Sequence, residues 1–159
     1  MEVGVDAYAS VEEVTAYLSA RGVSTTWEAA DDPAKEAAII EATSFLDASF
    51  KWVGRIEDVD QSLGWPRLCA YDREGRLLSD IPAAVKNATA ELSNIALGGR
   101  LQAPQLAAGT PVKRERVGDV EMEYDGYRAD PSYDAVKMIL RGIGTFLSAN
   151  SGTIKLVRT

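Results

Sequence analysis

From Ala34 to Phe50 the chain runs without a glycine or a proline, is rich in alanine, and places Ile39, Thr43, Leu46 and Phe50 at i, i+4, i+7 and i+11. Ile40 and Phe45 widen that stripe, and the spacing is the 3.6-residue period of an amphipathic helix. Asp32-Pro33 in front of it supplies an N-cap and a proline at the first helical position, where no N–H is needed. A long helix ending near Phe50 therefore commits the chain to a helix-packed core, and its apolar face requires no ligand. Ser10-Val11-Glu12-Glu13 is a capping box. It predicts a helix over 11–21 carrying Val14, Tyr17 and Leu18 and closed by Arg21-Gly22, followed by a loop through Thr25-Thr26-Trp27. Pro82 opens a third helix with Val85, Ala88, Leu92, Ile95 and Ala96 on its apolar face and Gly98-Gly99 as its stop. Asp130-Pro131 opens a fourth through Tyr133, Val136, Ile139, Leu140, Ile143, Phe146 and Leu147. Gly142 and Gly144 weaken its second half by ~1 kcal/mol each relative to alanine.

Between the second and third helices, residues 51–81 keep no period and carry turn signals at Gly64, Pro66 and Gly75. So long an irregular segment is functional or pinned by its own side chains. Trp52, Trp65 and Tyr71 are the expected pins, with exposed anchors at a partner surface as the other reading. Val112–Val117 and Val120–Tyr124 alternate on either side of Gly118-Asp119, which predicts a hairpin with Lys113, Arg114 and Arg116 facing Glu121 and Glu123. A lone hairpin is marginal in water. Covering Val120, Met122 and Tyr124 therefore points to a helix or a neighbouring chain, and Arg114, Arg116, Glu121, Met122, Glu123 and Tyr124 are the candidate subunit interface. Ser148–Gly152 reads as a linker to Thr153–Thr159, whose Ile154, Lys155, Leu156, Val157 and Arg158 suit either a frayed end or strand addition to a partner. The fold expected is mainly α: a four- to five-helix bundle with a β-hairpin at about 112–124 and an extended C-terminal tail. It comprises one domain over 1–147 and a linker and tail over 148–159.

The chain has 159 residues, 24 acidic and 17 basic, no histidine and one cysteine. Without histidine there is no Ser-His-Asp or Cys-His unit and no histidine-containing zinc site. One thiol forms no internal disulfide, and Cys69 reads as a small buried hydrophobe. The paired acids Glu12/Glu13 and Asp31/Asp32 fall at helix starts, where the macrodipole favours them. Asp58 and Asp60 lack the glycine-centred loop of a calcium site, and no phosphate-binding glycine loop is present. No catalytic, cofactor or metal residue is expected, and no enzyme activity. No apolar run reaches the length of a membrane span, and Met1-Glu2-Val3-Gly4 is no secretory start, so a soluble, intracellular chain is expected. Residues 1–60 hold 13 acidic and 4 basic side chains, and residues 61–159 hold 11 and 13. The negative balance lies wholly in the first third, and such a chain lacks the broad basic footprint of a general nucleic-acid binder.

In order along the chain, "DAYASVEEVTAYLSARG" (6–22), "DDPAKEAAIIEATSFLDASFKWVGR" (31–55), "LGWPR" (63–67), "DREG" (72–75) and "IPAAVKNATAELSNIAL" (81–97) resemble the head–tail connector, or adaptor, proteins of tailed bacteriophages. That family is often labelled DnaT-like single-stranded-DNA-binding. The resemblance covers nearly the whole chain, hairpin included. It implies a non-enzymatic virion protein without cofactors, in which subunits form a homo-oligomeric ring, typically of twelve, between the portal protein and a tail-side connector or tail protein. It also implies a place in the virion neck, with host cytoplasm during assembly and no membrane partner. DNA would pass through the lumen without specific binding, and the tail residues Ile154–Arg158 would dock on the portal. The competing class is a single-stranded nucleic-acid binding module using Arg114, Arg116 and Trp65. A third is a metal-dependent hydrolase using Asp58 and Asp60.

Overall fold

A computed structural model describes residues 1–22, 24–99, 101 and 133–147, together with the backbone of two strands at 114–117 and 120–123. Helix α1 (Val11–Arg21) starts as the capping box requires: the Glu13 N–H donates to Ser10 Oγ at 3.2 Å and the Ser10 N–H to Glu13 Oε2 at 3.0 Å. Residues 25–29 are not a loop but a short helix, α2 (Thr25–Ala29), because Ser24 Oγ accepts from the Trp27 N–H and Trp27 is buried, its Nε1–H donating to Thr15 Oγ1 at 3.0 Å. Helix α3 (Asp32–Ser49) is capped by Asp31, whose carboxylate accepts from the Ala34 N–H at 2.9 Å. Its buried face holds Ile39, Thr43, Phe45 and Leu46 as the period predicts, while Ile40 turns outward at 39% exposure. Pro82 caps α4 (Ala83–Gly98) from outside rather than opening its first turn; Val85, Ala88 and Leu92 are buried, and Ile95 is half exposed.

Helices α3 and α4 form the central pair, and α1 packs on α4. One apolar cluster runs from Tyr8 through Leu46, Phe50, Trp65, Val85 and Leu92 to Val136, Leu140 and Ile143, and a second gathers Val14, Leu18, Trp27 and Ile39.

The chain departs most from expectation after α3. Strand β1 (Phe50–Trp52) leaves the helix directly, and β2 (Arg55–Ile56) pairs antiparallel with β3 (Arg67–Leu68). The hairpin strands are β4 (Arg114–Val117) and β5 (Val120–Glu123), in a register that sets Arg114 opposite Glu123 and Arg116 opposite Glu121, as the alternating charges predict. The fourth predicted helix is cut short: α5 (Asp134–Ile139) ends at Leu140, and 144–146 form strand β6 (Gly144–Phe146), antiparallel to β1. Two glycines force this. Gly142 takes φ +98°, a left-handed conformation that side chains resist, and a Cβ on Gly144 would sit 2.9 Å from the Trp52 ring. The described residues thus form a mixed arrangement of five helices and three two-stranded antiparallel sheets rather than a helix bundle with one hairpin. None of the described helices is long and apolar enough to cross a membrane.

Candidate nucleic-acid interface

The irregular segment 51–81 is tied down by two charged side chains. Asp47, on the last turn of α3, accepts three hydrogen bonds: from the Tyr8 hydroxyl, from Trp52 Nε1–H at 3.0 Å and from the Gly64 N–H at 2.9 Å. Burial, with the Asp47 carboxylate as the second cause, holds the Tyr8 phenol far above its ordinary pKa. Arg67 does the complementary work, its guanidinium donating to the carbonyls of Val53 at 2.7 Å, Gly54 at 3.0 Å and Gly64 at 3.1 Å. The "W-V-G-R" and "L-G-W-P-R" stretches are thus two halves of one knot. Its glycines are close-approach positions: a Cβ on Gly54 would come 2.6 Å from the Leu68 carbonyl oxygen, and one on Gly64 would come 2.5 Å from Asp47 Oδ1. The Trp65–Pro66 peptide is cis.

Inside this knot Trp52 and Trp65 are the pins that the sequence predicts. Trp65 is wholly buried against Trp52, edge to face at 6.0 Å, so it cannot stack on a base and leaves the list of candidate binding residues. Tyr71 is no pin: its ring is 51% exposed. No other described aromatic residue is as exposed. Tyr71 pairs with Leu77 at the base of a tight turn in which Asp72 accepts from the backbone of Glu74 and Arg76 and from Arg76 Nε. Arg73, at the tip, lies across the turn between α5 and β6, its Cγ occupying the place where a Gly142 Cβ would point. Arg141 adjoins that glycine. On the other side Lys51 is paired with Thr145 of β6, and Arg55 with Leu68.

Charge is partitioned between this face and the helices. Lys86 is paired with Glu13 at 2.6 Å, across a shallow groove between α1 and α4, and Arg21 lies 3.6 Å from the Tyr17 ring with Glu91 beside it. Lys51, Arg55, Arg73 and Arg141 make no ion pair with any described carboxylate, and all four are exposed. Lys35, near the start of α3, is the one other lysine among the described residues with no ion pair, 5.9 Å from the Trp27 ring. The sequence names Lys51, Arg55 and Arg73 only within turn-rich stretches. What marks them out, the absence of a carboxylate partner, is a tertiary property.

The other predicted sites fare unevenly. Asp58 Oδ1 accepts from the Asp60 N–H at 2.9 Å, a local turn, and no group of three metal-ligating side chains converges among the described residues. Cys69 is exposed rather than buried, at φ +54° on the bend that carries the chain past Gly54. The side chains of Arg114, Arg116, Glu121, Met122 and Glu123, and the whole of Tyr124 and Ile154–Arg158, lie outside the described residues.

A small helix-and-hairpin domain that exposes several unpaired cations and one aromatic residue is, on its geometry, a candidate nucleic-acid binding module. Over residues 1–159 the chain matches the family described as DnaT-like ssDNA binding protein, and it belongs to that family. No curated protein and no solved structure matches it. The match corrects the connector reading. A head–tail adaptor is expected to let DNA pass without holding it, whereas the family description names single-stranded DNA as what is bound; the virion connector role falls with it.

Proposed function

We propose that the chain is a single-stranded DNA-binding module. Membership of the DnaT-like ssDNA binding family over the full length carries this reading. The distribution of charge supports it: Arg21 and Lys86 on the helices are paired with neighbouring carboxylates, while Lys51, Arg55, Arg73 and Arg141, around β1, β2, β6 and the 71–77 turn, have no described carboxylate partner and can meet phosphate. A net charge of −7 keeps such binding weak, because long-range repulsion works against every phosphate contact.

Fluorescence anisotropy with a thymine oligomer of about 16 nucleotides tests this, against a duplex of the same length. The expected result is a dissociation constant in the range of about 1–100 µM at ~50 mM salt, weakening steadily toward ~200 mM, with the duplex bound less well. No binding at the lower salt, or equal binding of the duplex, would overturn it.

A further inference from the structure

We infer that a single strand crosses this domain over Tyr71, with one base stacked on the exposed phenol ring and the flanking phosphates held by Arg73 on one side and Arg141 beyond it. The inference rests on the single-stranded DNA reading and adds the place, the contacts and the expected lack of sequence preference.

Three observations converge. The first is that Tyr71 is half exposed, on a backbone held by the ladder that joins Tyr71 to Leu77 and the Leu78 N–H to the Ala70 carbonyl. The other described aromatics are spent on or against the core, and Tyr17 already carries Arg21 on its face. The second is that Arg73 is immobilised without being neutralised. Its aliphatic stem fills the space above Gly142, so the guanidinium is carried to the α5–β6 turn where Arg141 also emerges, and neither arginine has a carboxylate partner among the described residues. The third is that, of the two carboxylates flanking Arg73 in sequence, Asp72 is consumed by Arg76 and two backbone N–H groups, contacts that hold its carboxyl below the ordinary range, which leaves Glu74 as the one acid beside the arginine. Two unpaired cations, one of them held by its stem, together with one exposed ring suit a nucleotide strand, in which a phosphate flanks every base. They provide no donor pattern aimed at base edges, so every base should stack about equally well.

Anisotropy titrations of the full-length chain with the same thymine oligomer provide the test. Tyr71→Ala should weaken binding by at least about fivefold, and Tyr71→Phe should bind as the parent does, because stacking needs the ring and not the hydroxyl. Arg73→Gln and Arg141→Gln should each lower the slope of log K against log salt by about 0.7, the amount one released phosphate counterion contributes on a single strand. Lys35→Gln, an identical loss of charge some four helical turns from β1, should leave the slope unchanged. All these side chains are at the surface, and a circular dichroism melt of each variant confirms folding. If the parent binds but Tyr71→Ala and the two arginine variants match it, the strand runs elsewhere and this path is wrong while the DNA-binding reading stands. If the parent itself does not bind, the DNA-binding reading fails and takes this path with it.

Discussion

Asp47 gathers the N-terminal segment, the end of α3 and the 63–67 loop onto one carboxylate. A carboxylate is required rather than an amide, since both oxygens must accept. In Asp47→Asn one of the two positions becomes an NH₂ group facing a donor, whichever way the amide is turned. The expected loss is about 1–3 kcal/mol of unfolding free energy, read as a lower urea midpoint with unchanged m-value. Tyr8 gives the same site a pH signature. Its folded pKa lies above the ordinary phenol value near 10 because burial and the Asp47 charge disfavour the phenolate. The proton is thus held more tightly folded than unfolded, so this contribution is complete below about pH 10 and is lost as pH rises beyond it. Urea midpoints should fall above about pH 10, and Tyr8→Phe should make that fall shallower. It should not abolish the fall, because burial also raises the Tyr17 and Tyr133 pKa values.

Among the elements, α1, α3 and α4 are legible because capping and periodicity are local signals, and their start and stop residues lie within a few positions of the ends observed. Helix α2 is not, since five residues complete no apolar period and its stability comes from Trp27 entering a pocket built by α1. The apolar spacing of Val136, Leu140 and Ile143 fits a helix, yet the chain turns at Gly142 because β1 offers a partner strand and Trp52 offers a surface that only glycine can meet at 144. Periodicity reads one chain segment at a time and cannot register that competition. Gly144→Ala follows directly. By helix propensity it should stabilise this stretch by ~1 kcal/mol. By the close approach to Trp52 it should cost about 1–3 kcal/mol. We expect the second, seen as a lower thermal midpoint with a change in tryptophan fluorescence. The candidate interface was half legible for the same reason: the Asp72–Gly75 turn is local, whereas the loop that buries Trp65 is held by Asp47 to Gly64 and Arg67 to Val53, contacts between residues well apart in sequence.

Across the whole molecule, the carboxylates at the start of α3, Asp31, Asp32 and Glu36, are separated from β1 by roughly the length of that helix, about 27 Å at 1.5 Å per residue. Screening at ~0.1 M salt falls off within about 10 Å, so remote carboxylates tune solubility more than binding. Glu74, at the tip of the turn beside Arg73, is the exception. Glu74→Gln should tighten oligonucleotide binding by about two- to fivefold at that salt, whereas Glu28→Gln should leave it unchanged in the same titration. The pairing of β1 with β6 also has a consequence in time. Phe50 and Trp52 are translated early, but the residues that cover them, Gly144 and Phe146, come roughly a hundred codons later. At about 5–20 residues per second, that leaves one aromatic wall of the nascent domain uncovered for about 5–20 s on the ribosome. During that interval Trp65, only thirteen residues downstream of Trp52, is the chain's own partial cover for that wall.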